Sequence, residues 1–148
     1  SGAHCGKTSG HDVSKGDRYL IDTLLKKRSP LTKRFGARGF DSITWWHLIN
    51  VYKDDIYYWK EKDLILIMYS SGPVLNLIDI ISSPIPDPDI LVNEIAGFGD
   101  TSSIRFHFPP DILGFPYHRT ERNEDTMLFV RGKFDPAPGF KFPVTAQT

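Results

Sequence analysis

The side chains able to carry chemistry in this 148-residue chain are few and scattered. Asp79 and His107 stand in two β-type runs, 74–81 and 103–108, separated by a helical stretch. A crossover would bring them onto neighbouring strands, where a carboxylate can orient an imidazole as a base. A buried aspartate bonded to backbone or to an adjacent histidine fits the same placement. Tyr69, Tyr58 and Tyr117 supply phenols, with nothing in the spacing to choose between them. Lys26, Lys27, Arg28, Lys33, Arg34 and Arg38 put six positive charges and no acid into thirteen residues. A phosphate-bearing ligand could use Lys33, Arg34 and Arg38, although a solvated helix end followed by a charged loop is the simpler account of them.

Other constellations are weaker. Gly6-Lys7-Thr8 has the closing residues of a phosphate-binding P-loop, but Ser1 stands where the motif needs its first glycine, and no strand precedes it. His4, Cys5 and His11 are a loose set in a polar leader, where adventitious metal binding is the simpler outcome. His47 lies among apolar neighbours and reads as a half-buried core histidine. With five scattered histidines and no H-x-x-H pair, no metal site is expected.

The elements that must position these groups follow from periodicity. The stretch 64–110 is the organising unit. Its strands 64–69 and 74–81 flank turn chemistry at Ser70-Ser71-Gly72-Pro73. A stop at Ser82-Ser83-Pro84-Ile85-Pro86-Asp87-Pro88 precedes a helix over 89–98 and a strand over 103–108 closed by Pro109-Pro110. With a strand at 56–59, this predicts an antiparallel meander whose last member is joined to 103–108 by a right-handed parallel crossover. Upstream, Leu20, Ile21, Leu24 and Leu25 mark one helical face, capped by Asp17 and stopped by Pro30, and 42–52 reads as a short buried helix. Asp111 reads as the cap of one helical turn ending at Gly114. Residues 117–125 read as a polar loop, 126–131 as a last strand, and Pro136, Pro138 and Pro143 as an extended tail. Residues 1–13 hold almost nothing apolar and are expected to lack order, which leaves one α/β domain over 14–148.

Whole-chain properties narrow the class. Formal charge is zero, so neither nucleic acid nor a membrane surface is favoured. The halves differ, with ten Lys or Arg against four Asp or Glu in residues 1–53 and eight against fourteen thereafter. One cysteine excludes a disulfide within the chain. No apolar run reaches transmembrane length and no signal-peptide core is visible, so a cytoplasmic protein is expected.

Lys27-Arg28-Ser29-Pro30-Leu31-Thr32-Lys33-Arg34-Phe35-Gly36, Asp79-Ile80-Ile81-Ser82, Phe106-His107-Phe108-Pro109-Pro110-Asp111, Thr126-Met127-Leu128-Phe129-Val130-Arg131 and Phe142-Pro143 occur in order. Together they resemble the carboxyl-terminal portion of bacterial GCN5-related N-acetyltransferase (GNAT)-like proteins, over residues 17–148. The resemblance implies an acyl-CoA N-acyltransferase-like half: a mixed sheet flanked by helices, acetyl-CoA held in a splayed strand pair, and a small amine as acceptor. It also implies a cofactor-gripping strand, Gly-rich loop and helix ahead of the matched region, where this chain has a polar leader. Arg34-Phe35-Gly36-Ala37-Arg38-Gly39 skims such a loop but follows a helix. Amine acetylation requires a base and an acid, often tyrosine. Asp79, His107 and Tyr117 are the candidates for these roles, and Lys33, Arg34 and Arg38 are those for the cofactor. Two readings stand: an N-acyltransferase or its substrate-side half, and a non-catalytic half-domain that binds a ligand or partner. A missing half would leave the segments Trp45-Trp46 and Tyr57-Tyr58-Trp59 uncovered, which predicts a homo-oligomer or a protein partner through them.

Overall fold

In a computed structural model, residues 6–8, 15–33, 39–118 and 144–146 are described. The expected strand at 126–131, the polar loop beyond residue 118 and most of the proline-rich tail lie outside them, as do Arg34 and Arg38.

Strands β2 (Ile56–Trp59), β3 (Leu64–Ser71), β4 (Val74–Ile81) and β5 (Ser103–Phe106) form a mixed sheet in sequential order. The first three pair antiparallel, and β4 pairs parallel to β5 from Val74↔Ser103 to Leu77↔Phe106. The expected meander and parallel crossover are therefore present. The β3–β4 connection is two residues long, and Gly72 takes φ +57° at the position where a tight hairpin requires a left-handed residue.

The leader departs from expectation. Gly6–Thr8 is a short strand, β1, paired antiparallel with β2. An unpaired β2 edge offers a row of backbone donors and acceptors, and pairing satisfies them whatever the composition of the added strand. As extended backbone, these three residues are also not a phosphate-cradling loop.

β3 and β4 read as continuous apolar runs because both faces of the sheet are covered. On one face Trp59, Leu64, Leu66, Met68, Leu75, Leu77 and Ile80 pack with Leu91 and Ile95 of the crossover helix α3 (Pro88–Ala96). On the other, Ile56, Ile65, Ile67, Ile78 and Ile81 meet Ile21, Leu24 and Leu25 of α1 (Lys15–Lys27) and Leu48 of α2 (Asp41–Asn50). α3 starts where Asp87 Oδ1 accepts from the amides of Asp89 and Ile90, with Pro88 pre-set for the first turn. α1 begins two residues before Asp17, which therefore lies in its first turn and is not its cap. Asp111 is not a cap either: no side-chain bond caps its 3-10 turn, and its Oδ2 accepts from the Lys33 amide at 2.9 Å.

Candidate functional site

The centre of β4 is where polar chemistry enters an otherwise apolar layer. β3 and β4 lose register at Ile78, which is bulged, so that Met68 opposes Leu77 while Ile67 opposes Asp79. Without that extra residue, the alternation from Leu75 and Leu77 would send Asp79 to the α3 side. The bulge turns it toward α1 and α2 instead.

Asp79 is 2% exposed and its carboxylate is fully engaged. Arg28, just beyond α1, donates from one terminal nitrogen to Oδ1 at 2.7 Å and from the other to Oδ2 at 3.2 Å. Thr145 Oγ1 donates to Oδ2 at 2.5 Å, and the Ile80 amide to Oδ1 at 2.9 Å. The guanidinium carbon sits 5.2 Å from the centre of the Phe40 ring, within cation–π range. Thr145 is itself held by Thr44, whose hydroxyl donates to its carbonyl at 3.2 Å. A buried carboxylate with four donors is satisfied as an ion pair and has no spare lone pair with which to accept a substrate proton.

The chain leaving α1 then crosses the carboxyl ends of β4 and β5. The Ser29 amide donates to the Ser82 carbonyl at 2.8 Å, Leu31 is buried in the α3-side core, Thr32 is buried, and the Lys33 amide reaches Asp111 beyond β5. Carboxyl ends of adjacent parallel strands are where open α/β sheets take their ligands. Here that mouth is spanned by residues 28–33 of the same chain. Lys33 contributes its backbone amide to this strap, and its side chain is exposed.

His107 lies at the end of β5, its amide bonded to the Leu77 carbonyl at 2.9 Å. Its Nε2 is 3.0 Å from Asn76 Oδ1. An amide oxygen only accepts, so Nε2 carries the proton in this pair. Asn76 opposes Tyr69 on β3, and Tyr69, Asn76 and His107 thus form a polar row across three strands on the α1/α2 side. The sequence places Asp79 and His107 on neighbouring strands, and so they are, but each has its own partners and no hydrogen bond joins them. Tyr117 is surface-exposed past the Asp111–Leu113 turn and is hydrogen-bonded to neither. Thr145 and Phe40 carry no signal in the sequence, and Arg28 and Ser82 are visible there only within the basic run and the Asp79-Ile80-Ile81-Ser82 motif. The available signal was the isolated acid in an apolar strand, which demands a cation from the nearest basic run.

Tyr52, after α2, faces this region, and its hydroxyl pKa is raised, first by burial and then by the proximity of Tyr69, Asp55 and Asp79. Tyr58 is raised by desolvation and by its hydrogen bond to Asp63. A value higher in the folded than in the unfolded chain gives stability that is intact below the ordinary phenol value of 10.0 and is lost as pH rises through the folded value. Wild-type protein should therefore lose stability above that pH more steeply than Tyr52→Phe in parallel alkaline denaturation series. Coincident series would show that Tyr52 is as solvated as in the unfolded chain.

Among the described residues no group of three or more His, Cys, Asp or Glu could hold a metal ion, and no helix is long and apolar enough to cross a membrane. No family model matches the chain, and neither a curated protein nor a solved structure matches it.

Proposed function

We propose that this chain is a GNAT-like half-domain that works as a ligand- or partner-binding module and does not itself transfer an acyl group. The observation that carries this is the filled mouth of the β4–β5 pair. The strap 28–33 lies across it, and Asp79 beside it is consumed by Arg28, Thr145 and the Ile80 amide. An acyl-CoA in the splayed-pair position would have to displace both. A thiol-release assay with acetyl-CoA and a panel of small amines should give only the uncatalysed background.

The polar row favours the second reading, an N-acyltransferase or its substrate-side half. His107 would then take the amine proton and Tyr69 would protonate the departing thiolate. Turnover above background that falls by about 10²-fold or more in His107→Gln, with the fold unchanged, would establish that reading in place of the first.

The partner that suits the exposed surface is a second copy of this chain. Trp46 and Ile49, one helical turn apart on α2, and Tyr19 on α1 are exposed large hydrophobics. Tyr19 lies three residues before Asp22, whose carboxylate accepts from the Trp45 indole at 2.6 Å and so ties the two helices. Zero formal charge removes net repulsion between copies.

A further inference from the structure

The Arg28–Asp79 pair has the composition of a recognition site as well as of a structural contact. One carboxylate accepts two parallel N–H bonds, an aromatic ring stacks on the cation, and a hydroxyl from a distant segment fixes the carboxylate's second oxygen. Carboxylate plus aromatic face is how proteins bind guanidinium and ammonium groups. The cation that fills it belongs to neither the sheet nor a helix. Arg28 opens the strap, which is anchored by the buried Leu31 and Thr32 and by backbone hydrogen bonds at Arg28, Ser29 and Lys33 but belongs to no strand ladder. Its side chain retains 12% exposure, so the seat has a solvent side. The Ser29 amide of the strap also bonds the carbonyl of Ser82, whose hydroxyl is fully buried and has no hydrogen-bond partner. A buried hydroxyl left unpaired is costly in a closed core and calls for a partner that this arrangement does not supply.

We propose that Asp79, Phe40 and Thr145 form a binding seat for an aliphatic amine or guanidine, and that Arg28 is its tethered occupant in the closed state. A free cation on Asp79 replaces Arg28, the strap lifts from the mouth of β4 and β5, and the Ser82 hydroxyl becomes available to the ligand's polar atoms. The exchange is non-covalent and conserves charge: one cation leaves the carboxylate and another takes its place. The proposal rests on the reading of the mouth as closed by the strap, and it names the ligand class that would open it.

Methylguanidinium, well below denaturing concentration, and n-butylamine are the probes. In the unmutated chain, either should produce a saturable rise of about tenfold or more in hydrogen exchange at the Ser29 and Lys33 amides while the β3 and β4 amides stay protected. In Arg28→Ala, whose seat is vacant, methylguanidinium should bind more tightly than in the parent and raise the melting temperature, and Arg28→Ala with Asp79→Asn should lose that response. If the alanine variant does not fold, the exchange of the strap amides in the parent protein decides alone. Strap amides that exchange only with the whole sheet, or a charge-free variant indifferent to both probes, would overturn the proposal. These outcomes are separate from acyl-CoA binding: an immobile strap in a chain that does not bind acyl-CoA refutes the seat alone, and acyl-CoA binding by a chain whose strap opens to both probes refutes the module reading alone.

Discussion

Replacing Arg28 with methionine should lower the stability of the fold by about 3–5 kcal/mol, the cost of stranding a buried carboxylate. Asp79 sits in β4, an interior strand of the sheet, at 2% exposure, and the remaining donors, the Thr145 hydroxyl and the Ile80 amide, carry no charge. The effect is specific to leaving one partner behind. Arg28→Met combined with Asp79→Leu should recover much of the loss, because apolar replacement of both members removes the desolvation cost along with the attraction. Thr145→Val removes a single bond to a charged group and should cost less, about 1.5–3 kcal/mol. Urea denaturation of the four proteins gives the comparison. A double variant no more stable than Arg28→Met would mean that the pair holds the strap and the closing turn in place through geometry that hydrophobic residues cannot replace.

Trp59→Ala should be comparably severe, while Trp46→Ala should hardly touch the fold. Both belong to aromatic segments that look alike in sequence, yet Trp59 is 2% exposed and packs beside Leu64 and Leu66, whereas Trp46 is 56% exposed on the outer side of α2. Truncating a buried tryptophan costs about 3–5 kcal/mol, a figure that includes the cavity left behind. An exposed position away from the core stays within about 0.5 kcal/mol. If a second copy docks on α1 and α2, Trp46→Ala should shift sedimentation at micromolar concentration from dimer to monomer, and should leave the denaturation midpoint unaltered when both proteins are measured at a dilution where they are monomers. Wild-type protein that sediments as a monomer would remove the self-association reading, and a Trp59→Ala variant of unchanged stability would contradict the core assignment.

The elements that were legible in the sequence are those whose burial is regular. β3 and β4 announce themselves as β-branched apolar runs because helices cover both faces, and α3 because apolar residues recur at helical spacing after a proline-rich stop. Parallel pairing of β4 with β5 follows from the intervening helix. β1 was illegible because its pairing is driven by the open backbone edge of β2, a demand located fifty residues away from Gly6–Thr8. The orientation of Asp79 was illegible for a related reason. Its face depends on a bulge at Ile78, and a one-residue shift reverses alternation without leaving a mark in composition. Arg28 shows the limit of local explanations: its place near the carboxyl end of α1 accounts for a cation there, and that account conceals the long-range ion pair across fifty-one residues. Thr145 offers no signal at all, since a lone threonine in a tail has neither periodicity nor charge.

The closed mouth is the central claim, and calorimetric titration of the full chain with acetyl-CoA tests it most directly. With residues 28–33 held by Asp79, Ser82 and Asp111, an acyl-CoA in the position proposed for it would have to displace them, and the predicted result is no measurable heat of binding or only weak association. Dissociation in the low micromolar range or tighter would contradict the account and favour a chain able to grip the cofactor itself.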